Sequence, residues 1–145
     1  MREARRLALL RRQSLIAEVA RKQALRGLAE ALEGEARSHA LAERSRSLVA
    51  ASAPGAGLTT GAALQARAGF TAGLVQLAAN AGDAARDAVR QRAWQAESLT
   101  RAETRAKRLA ERTAEARAAL VAAKAKAEAA RALPLARKLH RRSDD

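Results

Sequence analysis

The sequence predicts an all-α fold, a long antiparallel two-helix coiled-coil hairpin with a short helix in the cap region, and three observations carry that reading. Leu99, Ala102, Ala106, Leu109, Thr113, Ala116, Leu120, Ala123, Ala127 and Ala130 keep alternating steps of three and four without a slip, the seam of a helix that packs lengthwise against another helix. Strong helix formers dominate and only two of 145 residues are Pro, so almost no β structure is expected. One Phe, one Trp and no Tyr cannot fill a globular core of ordinary depth, which points to a single elongated domain over residues 1–145. Most seam positions are Ala, so little apolar area is buried per turn. The partner helix must therefore come close, at or below the low end of the usual range of roughly 8–10 Å between axes.

Residues 3–51 keep helical spacing throughout, about 75 Å at 1.5 Å per residue, with Gly27 and Gly34 as the weak points. Their apolar residues fall on two sides at about 100° per residue. Leu7, Leu10, Leu25, Leu28 and Leu32 gather on one side, and Leu9, Ile16, Val19, Leu41 and Leu48 roughly opposite. Such a helix buries one face and offers the other to a partner, or bends around its neighbour, or is a slack coiled coil with stutters. Residues 52–61 hold Pro54 and three Gly within seven positions, and read as the turn. A phosphate-binding loop there would need Lys then Ser or Thr after its last Gly, whereas Ala62 and Ala63 follow Gly61.

Helical spacing resumes over 62–81, a short helix in the cap, with Gly69, Gly73 and the cluster from Asn80 to Asp83 as soft points. Asp83 reads as the N-cap of a new helix over 83–132, matching the first in length. Beyond Pro134, residues 133–145 read as a basic tail, frayed from the helix.

Charge is uneven along this layout. Residues 1–26 carry +6, 27–51 carry −1, 52–89 are neutral and 90–142 carry +10, within a total of +13. Folding the hairpin brings both basic arms to the open end. There is no Cys, which excludes disulfides and thiol chemistry and fits a reducing compartment. No apolar run reaches the roughly 18 residues of a membrane span, and that from Leu7 to Leu10 is too short for a signal-peptide core. Eight basic residues in the first 26 raise the reading of a mitochondrial transit peptide. Glu3, Glu18 and continuity with the following helix argue against it.

Catalytic constellations do not emerge. His140 has Asp144 four residues on but no third zinc ligand. His39, with Glu35 and Glu43 four residues to either side, reads as surface pairing. No Ser sits in a nucleophile elbow, and the Glu residues lie among Arg on helix faces rather than paired in an apolar setting. The chain reads as a non-enzyme without cofactor or metal.

Phe70, Leu74, Leu77 and Ala81, spaced four, three and four, form one stripe that carries the only Phe. The stripe either folds back into the hairpin or docks a partner. Here the chain resembles the flagellar type III export stalk family, FliJ. That family has antiparallel coiled coils of this length and a helix with the pattern Phe-x-x-x-Leu-x-x-Ala-x-x-x-His. Phe70 and Leu74 match it; Leu77 stands where Ala is usual and Ala81 where His is. The opening around Leu9, Leu10, Arg11 and Arg12, and the Trp94 helix, are also similar to it.

The resemblance implies that Phe70, Leu74, Leu77 and Ala81 meet the membrane-embedded export gate. It also implies that the basic open end, with Arg5, Arg6, Arg11, Arg12, Arg137, Lys138, Arg141 and Arg142, sits in the pore of the hexameric export ATPase. The protein would then couple that ATPase to the gate and escort export chaperones, in the cytoplasm at the inner face of the cell membrane. A rival reading is nucleic-acid binding, since a charge of +13, a pI near 11.7 and the run from Lys124 to Arg131 would attach to phosphate. Two aromatics leave almost no base stacking, and interleaved Glu dilutes the basic face. A basic helix lying on anionic membrane is disfavoured by sparse Leu and aromatics on any one face. A coiled-coil adaptor of another kind is the remaining alternative.

Overall fold

The computed structural model describes residues 2–53, 55, 57 and 60–143, with side chains up to Ala132. It contains two helices, α1 (Arg2–Ala51, 50 residues) and α2 (Gly61–Ser143, 83 residues), and among the described residues no strand. They pack as the antiparallel hairpin expected. Contacts group into two compact units, Met1–Lys22 with Arg101–Asp145, and Gln23–Thr100.

The first unit holds the larger core. Leu7, Leu10 and Ala17 of α1 pack with Ala106, Leu109 and Ala116 of α2, and Leu120 closes the cluster at its edge. These α2 residues belong to the unbroken seam, so the sequence pattern and the packing face coincide. The seam stops short, however: Ala123, Ala127 and Ala130 are exposed, as is every described residue from Val121 to Ala132.

In the second unit Ala42 packs with Ala81 and Ala85, and Ser45 is buried beside them on α1. Small side chains let the backbones approach, which compensates for the little area each one buries. Arg92 Nε and Glu35 Oε2 meet at 2.7 Å across the helices, an ion pair off the line of a hydrogen bond. A side chain added at Gly27 would meet Gln95 Oε1 at 2.8 Å. Gly27 is thus the one glycine that makes room for a neighbouring helix, and Gln95 occupies that room.

The α1 seam is a strict heptad that large apolar residues alone do not reveal. Glu3, Leu7, Leu10, Ser14, Ala17, Arg21, Ala24, Leu28, Ala31, Glu35, Ser38, Ala42, Ser45, Val49 and Ser52 alternate steps of four and three, and none of them is fully exposed. Of the two apolar sides expected on α1, Leu7, Leu10 and Leu28 therefore face α2, while Leu25 and Leu32 do not. The opposite set of Leu9, Ile16, Val19, Leu41 and Leu48 is exposed in full.

Four expectations are corrected. Residues 62–81 are helical, but they are the opening turns of α2 rather than a separate cap helix. Asp83 is no N-cap: it lies inside α2 and pairs with Arg86 one turn on. The helix crosses this stretch because Ala81 and Ala85 gain burial there, enough to offset the cost of about 1 kcal/mol for Gly82 in a helix. The α2 seam runs through this stretch without a slip, as Thr71, Leu74, Ala78, Ala81, Ala85, Ala88, Arg92, Gln95 and Leu99 alternate steps of three and four and none of them is fully exposed. Thr60 supplies the cap, its Oγ1 accepting from the Ala63 amide at 3.3 Å. At the other end, Ser52 Oγ donates to the Val49 carbonyl at 2.8 Å and closes α1. The two helices are accordingly unequal in length. Finally, the backbone of 133–143 continues α2 past Pro134 instead of fraying.

Two stability measurements follow. Leu109→Ala should cost about 2 kcal/mol, a fall of about 4–8 °C in melting midpoint for a chain of this size, whereas Leu9→Ala should leave it within error; circular dichroism melts decide. A double-mutant cycle on Glu35→Gln and Arg92→Gln should give a coupling of about 1 kcal/mol by urea titration, and a coupling of zero would show the pair to be idle.

Candidate functional site

The Phe70 stripe begins in a part of α2 that α1 does not reach. Every residue from Gly61 to Phe70 is exposed, because α1 has already ended at Ala51. Phe70 is 66% exposed and Leu77 is exposed as well, Leu74 is half-buried, and Ala81 is buried at 5% against Ala42. The four residues share a helix face, yet they do not form one open patch. The stripe runs from solvent into the core, so a partner can reach Phe70 and Leu77 but not Ala81. Val75 adds a further exposed apolar side chain, one position past Leu74.

The basic residues split in a similar way. Arg5, Arg6, Arg11 and Arg12 are exposed on α1. Arg137, Lys138, Arg141 and Arg142 belong to the helical backbone of α2, and their side chains lie outside the described residues. Dividing charge by unit sharpens the asymmetry seen in the sequence. The first unit holds twenty basic and eight acidic residues, a net +12; the second holds eight and seven, a net +1. Surface ion pairs within helices neutralise the second unit locally, as in Glu33 with Arg37 and Glu43 with Arg46.

Within the first unit the two helices enclose an open groove of about 760 Å³. Leu7, Ala114 and Val121 line it with apolar surface, and Arg11 and Arg117 contribute cations. Sequence reasoning missed this groove, together with Arg117 and Val121, because it requires the register of α1 on α2. The heptad of α1 could have supplied that register, had Ser, Glu and Arg been admitted as seam residues.

His39 Nε2 lies 3.9 Å from Glu35 Oε1, whereas Glu43 is taken by Arg46 at 3.0 Å. The expected pairing of His39 is therefore present on one side. Among the described residues no three His, Cys, Asp or Glu gather as metal ligands, and none of the helices is long and apolar enough to cross a membrane. Trp94 is exposed, away from either packing cluster.

Comparison with models of protein families, with curated proteins and with solved structures finds no match to this chain.

Proposed function

We propose that the chain is a non-enzymatic part of the flagellar type III export apparatus, of the FliJ kind, coupling the export ATPase to the export gate and escorting export chaperones. The observation that carries the reading is the separation of charge on a two-helix hairpin, +12 in one compact unit and +1 in the other. A coupling protein needs two unlike contact surfaces, and here one unit is cationic while the other presents Phe70 and Leu77 to solvent. In this reading the cationic unit enters the ATPase hexamer, and the exposed Phe70 turn meets the gate at the inner face of the cell membrane. Buried Ala81 takes no part in that contact.

The same charge favours one other reading, nucleic-acid binding, and salt separates the two. Binding to phosphate would fall steeply with salt on any DNA, whereas stalk engagement would require one particular ATPase.

Changing Arg5, Arg6, Arg11 and Arg12 to Glu should abolish stimulation of the ATPase while helicity by circular dichroism stays intact, since exposed charges contribute little to folding. Unchanged stimulation would end the pore-insertion reading. Phe70→Ala should remove gate binding and shift stability by no more than about half a kcal/mol, as an exposed site predicts. A melting point that collapsed along with binding would make Phe70 a packing residue.

A further inference from the structure

The outward face of α1 in the first unit stands opposite the seam and is exposed. Leu9, Leu15, Ile16 and Val19 are 58%, 69%, 64% and 55% exposed. Arg2, Arg5, Arg12 and Lys22 surround them, also exposed. Acid is absent from this face: Glu3 is on the seam, and Glu18 lies to the side, held by Arg21 at 3.1 Å. Among the described residues Arg5 and Arg12 make no ion pair. Farther along α1, exposed Glu33 and Glu43 pair with Arg37 and Arg46. The apolar and purely cationic character is thus confined to the first unit.

The spacing indicates what covers this face. Arg5, Leu9, Arg12, Ile16 and Val19 step by four, three, four and three, a second seam on the same helix and the anchor pattern of helix-on-helix docking. Arg12 stands inside that stripe, between Leu9 and Ile16. Hydrocarbon would reject a guanidinium there, and no aromatic residue widens the apolar band as interfacial helices require. A carboxylate on a facing helix would accept it in two parallel hydrogen bonds. A second copy of the chain is disfavoured because each first unit carries +12 and like charges would be brought together.

We propose that this face of α1 binds an amphipathic helix of a partner protein, with Leu or Ile opposite Leu9, Ile16 and Val19, and Glu or Asp opposite Arg5 and Arg12. The inference requires neither an ATPase nor an export gate, so it stands or falls apart from the function proposed above.

The test uses the full chain and a synthetic acidic zipper peptide of four heptads, with Leu at the a and d positions and Glu at e and g. A peptide of the same design with Lys in place of Glu is the comparison. Fluorescence anisotropy should show the acidic peptide binding and the basic one not. The double variant Ile16→Gln, Val19→Gln should bind at least about tenfold more weakly, the loss typical of a truncated interface anchor, with an unchanged melting curve. Leu25→Gln with Leu32→Gln, also exposed but on another side of α1, should bind as the parent does. Equal weakening in both double variants, or no weakening in either, would overturn the proposal by reducing the binding to bulk charge. Two further results would overturn it: cosedimentation with phosphatidylglycerol vesicles that depends on Ile16 and Val19 while the peptide fails to bind, or self-association abolished by the same pair of changes.

Discussion

Everything in this protein depends on how closely two helices can approach along a seam of small side chains. Of the nine apolar residues buried among those described, six are alanine. Each contributes little more than one methyl group to the core, at about 0.8 kcal/mol per carbon removed from water. A two-layer helix pair has no third element with which to enlarge that core. Stability must come from repeating a small gain over many turns, which explains why the helices are long and why Ser45 is tolerated in full burial. Where the seam turns polar, at Glu35 and Arg92, a charge pair replaces apolar contact and distinguishes one register from the next. A slip by one heptad would preserve most Ala-on-Ala contacts but would part that pair and put a different side chain opposite Gly27.

The legibility of this fold in the sequence was uneven for one physical reason. The α2 seam could be read because Leu99, Leu109 and Leu120 punctuate it, and a hydrophobic periodicity is visible wherever large residues mark the buried face. The α1 seam was hidden because Glu3, Ser14, Arg21, Glu35, Ser38 and Ser45 hold places that pattern reading reserves for apolar residues. Its visible Leu and Ile residues lie mostly outside the interface. Local punctuation also misled. Asn80, Gly82 and Asp83 carry a turn composition, yet burial of Ala81 and Ala85 and the pairing of Asp83 with Arg86 keep them helical. Thr60, which does cap α2, was passed over beside the more conspicuous Pro54 and glycines. For the candidate surfaces, the charge asymmetry was legible from residue counts alone. The division of the Phe70 stripe was not, since it depends on where α1 ends.

Charge and packing are also linked through helix geometry. Most Arg side chains of this helix pair lie at the surface, beside several large apolar side chains that are uncovered. Leu9, Leu15, Ile16 and Val19 would be an aggregation hazard on a neutral surface. Arg2, Arg5, Arg12 and Lys22 around them place like charges where the same face of a second copy would have to come.

The stretch of α2 from Val121 to Ala132 is helical, and each of its residues is exposed. Its composition of Ala, Lys, Glu and Arg gives it nearly the best intrinsic propensity available, and the paired turns behind it serve as a ready-made nucleus, which removes the costly first step of helix formation. Such a segment opens residue by residue, whereas the turns around Leu109 open only when the two helices part. A partner that seizes this stretch meets a backbone already ordered and loses little conformational entropy in holding it. The same segment behaves as a spring softer than the hairpin it extends, so a pull or twist applied to it is taken up first by local unwinding and reaches the paired core only afterwards.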